Sequence, residues 1–207
     1  MKHTLSVLVE NSPGVLSRVS GLFTRRGYNI ESLNVGVTEN PAVSRMTIVV
    51  RGSPAVVEQV SKQLNKLINV LKVSDITSEE IVSRELALIK VSATPAQRAS
   101  ILQIVSVFRG QVVDATSRSV IVELTGDEEK IDAFIQLVRE FGIKEVVRTG
   151  RVAMMRGLRN QREEKGEDNI DESLLRWRRR LEIAKKQAHS GAGVWEPRPC
   201  ASAESKG

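Results

Sequence analysis

The chain has few of the residues on which catalysis and covalent cross-linking most often depend. Its 207 residues include one cysteine, two histidines and only 3% aromatic residues. A single cysteine, Cys200, excludes an intrachain disulfide and fits a reducing compartment. The histidines, His3 and His189, lie near the two ends and belong to no metal-ligand or acid–base motif. We therefore expect no catalytic residue and no metal site in this chain.

Long apolar runs are also missing. No stretch approaches the ~20 apolar residues that cross a membrane. Thr4 to Glu10 already alternates like a strand, so no signal or transit segment is expected. Hydrophobic residues still make up 41% of the chain, which is enough for a core of valine, isoleucine and leucine. We expect a cytoplasmic protein with no membrane partner.

Positive charge is concentrated towards the C-terminus. Residues 151–207 hold 13 Lys and Arg against 9 Asp and Glu, a net of +4, which leaves 18 against 16, a net of +2, for residues 1–150. The predicted central strands around Met46 to Val50 and Leu86 to Val91 lack the aromatic side chains on which RNA-recognition modules stack bases. Nucleic acid is therefore not an expected partner of the folded part.

Two segments repeat one order of predicted elements. In each, apolar residues alternate along four strands and recur at helical spacing along two helices, in the order βαββαβ. We therefore predict an α+β fold with two tandem ferredoxin-like domains, each an antiparallel sheet with helices on one face. The predicted boundaries are 1–78, 79–160 and a basic tail over 161–207 with a possible helix at 170–188.

Cap and stop residues mark the predicted helices. Polar caps, three of them followed by proline, precede each helical pattern, and a glycine follows three of the four. The predicted starts are Ser12-Pro13, Ser53-Pro54, Thr94-Pro95 and Asp127, and the predicted stops are Gly27, Gly110 and Gly142.

The stretch from Glu10 to Asn34 has the most informative local pattern. Gly14 leaves the first turn of the predicted helix without a side chain, and Asn11 offers an amide beside it. Free backbone N–H groups at such a helix start attract a carboxylate. Asn29 supplies a second amide where the chain returns as a strand. A capped helix and an asparagine turn without any ligand explain the same residues, so local chemistry leaves both interpretations open.

The sequence resembles a known family over residues 2 to about 160. LSVLVENSPGVLSRVSGLFTRRGYNIESL, SRMTIVV, QLNKL and LKV resemble the ACT domain of the small, regulatory subunit of acetolactate synthase (acetohydroxyacid synthase). RELALIKV and FRGQVVD resemble that family's second domain. GVLSRV followed by RRGYNIESL is long and specific. The bacterial pattern ends soon after the second domain, so the tail is a departure from it.

The resemblance implies a regulatory subunit without catalysis of its own. It implies stimulation of a catalytic large subunit and feedback inhibition by valine or another branched-chain amino acid, in branched-chain amino acid and isoleucine biosynthesis. Thiamine diphosphate, Mg and FAD are expected on the large subunit, with no cofactor in this chain. The effector would lie where two ACT domains pair in a homodimer. The implied effector-binding positions are Asn11, Ser12, Pro13, Gly14, Val15, Leu16, Asn29 and Ile30.

The chemistry of these positions suits valine. The helix start supplies N–H donors for the carboxylate, the oxygens of Asn11 and Asn29 can accept from the ammonium, and neighbouring aliphatic side chains can surround the isopropyl group. An apolar pocket separates ligands that differ by one methylene by only ~1–3 kcal/mol, so valine, leucine and isoleucine are not ranked. A free-standing amino-acid-sensing ACT protein that acts on another partner, and an enzyme, remain as alternatives.

The tail contains one amphipathic pattern. Apolar residues step by three and four along residues 170–188, around Leu174, Trp177 and Leu181, with arginines on the remaining surface. The stripe can dock on a partner, or the segment can be a solvated helix. We favour the solvated helix because short basic segments are unspecific.

Overall fold

The computed structural model of the chain describes residues 1–157, 175, 177–179 and 182. Within these residues the order is βαββαβ followed by βαββαβ and one more strand. The strands are β1 (Lys2–Glu10), β2 (Ile30–Val37), β3 (Val43–Arg51), β4 (Val70–Asp75), β5 (Ile81–Ser92), β6 (Gln111–Ala115), β7 (Ser119–Gly126), β8 (Ile143–Arg148) and β9 (Val152–Met155). The helices are α1 (Val15–Arg25), α2 (Pro54–Leu64), α3 (Pro95–Val107) and α4 (Glu128–Val138).

Two antiparallel sheets form the framework. The first sheet has the order β2-β3-β1-β4, and the second has the equivalent order β6-β7-β5-β8. We call β1 to β4 with α1 and α2 the first unit, and β5 to β9 with α3 and α4 the second unit. The α+β class with two ferredoxin-like units is confirmed, whereas the domain boundaries at residues 78 and 160 stay predictions.

Each unit packs both of its helices on one face of its sheet. In the first unit, alternate residues of β1 join one core with apolar residues of both helices. The same arrangement recurs around Ile89 in the second unit. The first core contains, among others, Leu5, Val7, Val9, Val19, Phe23, Val57, Val60 and Leu64. The predicted helices therefore lie on one face in both units, as their apolar periodicity requires.

Three of the four predicted helix starts are correct. Ser53, Thr94 and Asp127 are the N-cap residues of α2, α3 and α4. The predicted start at Ser12-Pro13 is wrong, because α1 begins at Val15 and its N-cap is Gly14. Gly14 has a φ of 82°, a left-handed conformation that glycine adopts without strain. Ser12 and Pro13 thus belong to the turn before the helix.

The helix ends differ in which residue takes the left-handed conformation. After α1, Gly27 has a φ of 69°, and Tyr28 N–H donates to the Phe23 carbonyl at 3.0 Å. This is the predicted glycine stop, with the hydrogen bond of a Schellman motif. After α3 the left-handed residue is Arg109, with a φ of 52°, and Gly110 lies close against β7 instead. A Cβ on Gly110 would lie 3.2 Å from the Glu123 carbonyl oxygen.

The strands were predicted too short where the first unit connects to the second. The second unit was expected to begin with a strand at Leu86, but β5 starts at Ile81. Its first four residues pair with β9, from Ile81 opposite Met155 to Arg84 opposite Val152. The strand β9 has no counterpart among the predicted elements, because four residues are too few to show an alternating pattern.

Both faces of the central strand β1 are buried. Leu5, Val7 and Val9 face the core beneath the helices. On the opposite face, the outer face, Thr4, Ser6 and Leu8 are also buried. Cover for the outer face of β1 is therefore supplied from within the chain.

One tail residue supplies part of that cover. The Trp177 side chain is 8% exposed and packs with Leu8 and Val43, and its indole N–H donates to the Ile68 carbonyl. The expectation of a fully solvated tail helix is wrong at this position. Residues 175, 177–179 and 182 are helical, whereas the rest of the predicted helix at 170–188, together with His189 and Cys200, lies outside the described residues.

Candidate functional site

The loop before α1 is fixed by backbone and amide hydrogen bonds. Asn11 N–H donates to the Ala42 carbonyl at 2.8 Å, and its side-chain nitrogen donates to the Pro41 carbonyl at 2.9 Å. These bonds tie the loop to the turn between β2 and β3. Because the amide nitrogen is engaged in this way, the side-chain oxygen of Asn11 is the atom that can accept from a ligand.

The start of α1 carries no side-chain cap. Arg18 N–H donates to the Gly14 carbonyl at 3.0 Å. The N–H groups of Leu16 and Ser17 have no partner within the part of the chain that the structure describes. Both residues are exposed, and Gly14 has no atom within 4 Å of its hypothetical Cβ. The helix start is therefore an open group of N–H donors with the positive end of the helix dipole behind it.

The predicted residues of this loop differ in exposure. Asn11, Pro13 and Gly14 are exposed, and Ser12 is half-buried. Leu16 is 45% exposed and can offer an apolar surface to a ligand. Val15 is only 3% exposed and belongs to the core beneath the sheet, so its side chain cannot line an open pocket.

Asn29 and Ile30 lie at the opposite end of α1 from this loop. The helix has 11 residues, and a helix of this length is about 16 Å long. One chain therefore does not bring Asn29 and Ile30 together with Asn11 and Gly14. The structure places them instead beside a cleft of about 670 Å³ between the two units.

This cleft is lined mainly by polar and charged residues of both units. A hydrogen bond and a close backbone approach join the first-unit side of the cleft to the chain segment 149–151. Arg151 N–H donates to the Ser32 hydroxyl at 2.8 Å. A Cβ on Gly150 would lie 2.3 Å from the Leu33 carbonyl oxygen, so only glycine fits there. The units are therefore in direct contact beside Asn29 and Ile30.

Alternating charges connect the two units across the cleft. Lys2 Nζ lies 2.5 Å from Glu128 Oε1 and 3.5 Å from Glu31 Oε2. Arg151 lies 2.7 Å from Glu128 Oε2 and 3.7 Å from Glu85 Oε1. We call Lys2, Glu31, Glu85, Glu128, Arg148 and Arg151 the charge cluster. Its three carboxylates and three cations balance one another.

The cluster shifts the pKa values of its members. The hydrogen bond from Lys2 lowers the pKa of Glu128 below its ordinary range, against an opposing effect of burial. The hydrogen bond to Glu128 raises the pKa of Lys2. For Arg148, burial lowers the pKa, but hydrogen bonds to Glu85 and Asp132 outweigh it, and the net shift is upward. All three shifts favour the charged forms and so favour the ion pairs.

A second cleft lies between the first sheet and the β5–β9 pair. It has a volume of about 530 Å³ and is more apolar, with Val37, Val82 and Met154 among its lining residues. The loop from Asn11 to Leu16 lines neither this cleft nor the first one.

The charge cluster and the Trp177 contact were not predicted from the sequence. Lys2 and Glu128 are 126 positions apart, and no local pattern connects them. Trp177 was recognised as part of an apolar stripe, but its contact surface was not. The helical spacing of the apolar residues around Trp177 was the only signal. An apolar stripe on a helix indicates that this face is buried but does not identify the surface that it contacts.

The structure gives no support to a membrane span or a metal centre in the residues that it describes. Among them, none of the helices combines the length and apolar character required to cross a bilayer. Within the same residues, His, Cys, Asp and Glu do not gather in threes as potential metal ligands.

Comparison with known proteins identifies the family. A family model described as the AHAS small subunit-like ACT domain matches residues 5–72. A second, described as the small subunit of acetolactate synthase, matches residues 84–157. The two ranges correspond to the first and second units, and Trp177 lies outside both.

Individual relatives agree with these matches. A probable acetolactate synthase small subunit from Archaeoglobus fulgidus is 61% identical over 157 residues, which are 76% of this chain and 98% of that protein. The acetolactate synthase small subunit of Mycobacterium leprae is 52% identical over 157 residues, 76% of this chain and 93% of that protein.

A solved structure extends the agreement to the fold. The crystal structure of the acetolactate synthase small subunit from Thermotoga maritima is 42% identical, with a TM-score of 0.71. It covers 76% of this chain, and the match includes 99% of that chain. Sequence identity, fold and the order of the two units thus agree, and the chain belongs to the acetolactate synthase small-subunit family.

Proposed function

We propose that this chain stimulates the catalytic large subunit of acetolactate synthase and makes it sensitive to inhibition by valine. Membership of the small-subunit family makes it a regulatory subunit that is not catalytic alone. The proposal goes beyond this family role in two respects, which are stimulation of the large subunit and its inhibition by valine. The observation that most supports the proposed position of the effector site is the open, uncapped start of α1.

The start of α1 supports carboxylate binding. The N–H groups of Leu16 and Ser17 have no partner within the described residues, and the left-handed Gly14 keeps the approach free of a side chain. An α-carboxylate can accept from both N–H groups and is favoured by the helix dipole. Asn11 is held by its bonds to Ala42 and Pro41, and its side-chain oxygen is the acceptor that we assign to the ligand's ammonium.

The other half of the pocket requires a second chain. Asn29 and Ile30 are about one helix length away in the same chain, so they can complete the site only from a neighbour. β2 is an edge strand of the first sheet, with Val35 and Val37 exposed on it. Side-by-side pairing of two first units through this edge is the homodimer that we propose.

The complete site would bind valine by three groups. The α1 start holds the carboxylate, the oxygens of Asn11 and of Asn29 of the neighbouring chain accept from the ammonium, and Leu16 with Ile30 contacts the isopropyl group. Thiamine diphosphate, Mg and FAD would belong to the large subunit. A cytoplasmic location also remains a prediction.

Reconstitution with the large subunit tests the function. We expect the chain to co-purify with a thiamine-dependent large subunit, to increase its acetolactate synthesis, and to make that activity fall as valine is added. A chain that binds valine but neither associates with nor stimulates the large subunit would support a free-standing amino-acid sensor instead.

Complementation between variants tests the two-chain pocket. Asn11→Ala and Asn29→Ala each damage both pockets of a homodimer. In a mixed dimer one pocket contains both intact asparagines and the other contains neither. Calorimetry with valine should therefore show high-affinity binding at about one site per mixed dimer, against two for the original dimer. Mixed dimers, isolated with two different tags, that bind no better than either parent would contradict the two-chain pocket.

A further inference from the structure

We propose that the charge cluster transmits effector binding at Asn29 and Ile30 from the first unit to the second. Lys2 and Arg151 are the two cations that connect the units. The inference rests on the proposed effector site and adds the route by which that site influences the rest of the subunit.

The route begins one residue after the proposed pocket. Glu31 follows Ile30 directly in β2, and the pairing of β2 with β3 shifts register between Ile30 and Ser32. Such a bulge leaves a residue outside the regular ladder and re-aims its side chain. The Glu31 carboxylate lies 3.5 Å from Lys2 Nζ and 2.6 Å from Arg51 Nε. A ligand that moves Asn29 and Ile30 therefore also moves Glu31, at a point where the ladder is already irregular.

Lys2 carries the contact into the second unit. Its ammonium group reaches Glu128 in the first turn of α4 at 2.5 Å. The other oxygen of Glu128 accepts from Arg151 at 2.7 Å. Glu128 is thus bound at once by a cation from the start of the chain and by one from the segment after β8.

Arg151 connects the cluster back to the first sheet. Its side chain is 17% exposed, and its guanidinium group lies 3.5 Å from the Thr4 hydroxyl on the outer face of β1. Its backbone N–H binds the Ser32 hydroxyl in β2. Ion pairs of low exposure are screened less than surface pairs, so a change in the distances within the Arg151 pairs has a larger effect on their interaction energy.

The segment around Arg151 has little room to absorb a movement of β2. The backbone at Gly150 approaches the Leu33 carbonyl too closely for any side chain. The next element, β9, is paired with β5 of the second unit. A displacement at the start of β2 is therefore passed to β5 and β9 unless the ion pairs break. The two states required for coupling are the cluster closed and the cluster open.

The test separates effector binding from its consequence. Lys2→Met and Glu128→Gln remove one charge each and keep the shape of the side chain. Each is made in the full chain and reconstituted with the large subunit. Glu58→Gln is the matched control, because it breaks the exposed Glu58–Lys62 pair of α2, which lies outside the cluster.

The inference predicts a change in inhibition without a matching change in binding. Calorimetry on the small subunit should give a valine Kd within about threefold of the original for both cluster variants. The valine concentration for half-inhibition of the reconstituted enzyme should rise at least about fivefold, the lower end of typical coupling. The effect of the double variant should fall short of the sum of the two single effects, because both changes remove the same Lys2–Glu128 contact. Glu58→Gln should leave both quantities unchanged.

Different failures have different meanings. If the original chain neither binds valine nor responds to it, the proposed function fails. If it does both, and the cluster variants respond to valine as Glu58→Gln does, the transmission route is wrong. Equal losses of binding and inhibition would also overturn the route, since the cluster would then support the pocket itself. Should both variants fold poorly by circular dichroism, the original chain still decides. The Lys2–Glu128 pair, with side chains 39% and 32% exposed, is open to screening, so raising ionic strength from about 0.1 to 0.5 M must weaken inhibition more than binding.

Discussion

The two units share one topology but differ at the start of their equivalent helices. In the first unit, α1 follows a left-handed glycine and has no side-chain cap. In the second unit, the Gln97 side chain accepts from the Thr94 hydroxyl at 2.8 Å and from its backbone N–H at 3.4 Å, in a capping-box arrangement at the start of α3. The same position in the fold is thus free of side-chain hydrogen bonds in one unit and occupied by a side-chain hydrogen-bonded pair in the other.

The sheets differ in a corresponding way. The outer face of the first sheet is covered at Thr4 by Arg151 and at Leu8 by Trp177. In the second sheet, every residue of β6 is exposed, and so are Leu88 and Val147. The first unit, which has the open helix start, is therefore also the unit whose sheet is covered on its outer face. This contrast favours the proposal that the first unit binds the ligand and that Arg151 of the second unit supports its sheet.

The largest expected effect comes from closing the open helix start. Gly14→Asp places a carboxylate where the ligand's carboxylate is proposed to lie, and aspartate tolerates the left-handed conformation better than most residues. We expect the valine Kd to rise about 100-fold, or ~2.7 kcal/mol, as measured by calorimetry and by inhibition of the reconstituted enzyme.

A matched variant controls for backbone strain in that experiment. Gly157 also has a positive φ, 66°, with no atom within 4 Å of its hypothetical Cβ. Gly157→Asp should leave valine binding unchanged while it introduces the same side chain and charge. An equal loss of binding in both variants would show that added charge or strain, and not the α1 start, is responsible.

The sequence predicted the fold better than it predicted the site. Apolar periodicity fixed the order of elements in both units, because core burial demands it. Ser53-Pro54 and Thr94-Pro95 gave correct helix starts, but Ser12-Pro13 did not. The dipeptide cannot reveal that the next residue, Gly14, turns into the left-handed conformation and delays the helix.

The missed features depend on distant contacts. Lys2 contacts Glu128 only after both units have folded and docked, so no local spacing of residues in the sequence predicts the pair. Arg109 takes a left-handed conformation next to a glycine that was expected to do so, because Gly110 is packed against β7. Close packing between elements, and not local preference, decided both outcomes.

Removing the cover of the first sheet should have the next largest effect. Trp177→Ala exposes Leu8 and Val43 and removes the hydrogen bond to Ile68. We expect the free energy of unfolding to fall by about 2 kcal/mol, the typical value for a buried large apolar side chain. Urea unfolding monitored by circular dichroism measures it. A change below about 0.5 kcal/mol, the scale of an ordinary surface substitution, would mean that Trp177 does not hold the sheet.

A smaller effect is expected from the pH dependence of the charge cluster. The pKa of Glu128 is lowered in the folded chain, so its contribution to stability is present above the unfolded pKa and is lost as pH falls through the folded one. Because Glu128 is partly exposed, we expect a contribution of only about 0.5–1 kcal/mol. The difference in unfolding free energy between the original chain and Glu128→Gln should be present at pH 6 and should shrink below about pH 4. A difference that grows on acidification would have the wrong sign.

The smallest expected effect tests whether opening a helix start is enough to create a site. Gln97→Ala removes the side chain that reaches back to Thr94 in the second unit, and loss of one such cap contact costs about 0.5 kcal/mol. Thr94 remains with its own hydroxyl and is followed by Pro95, so α3 still lacks the left-handed glycine that frees the approach to α1. Calorimetry with valine should therefore give the same number of sites and the same Kd as the original chain. An additional valine site per chain would mean that an uncapped helix start alone binds the effector, and that Asn11 and Gly14 do not distinguish the first unit.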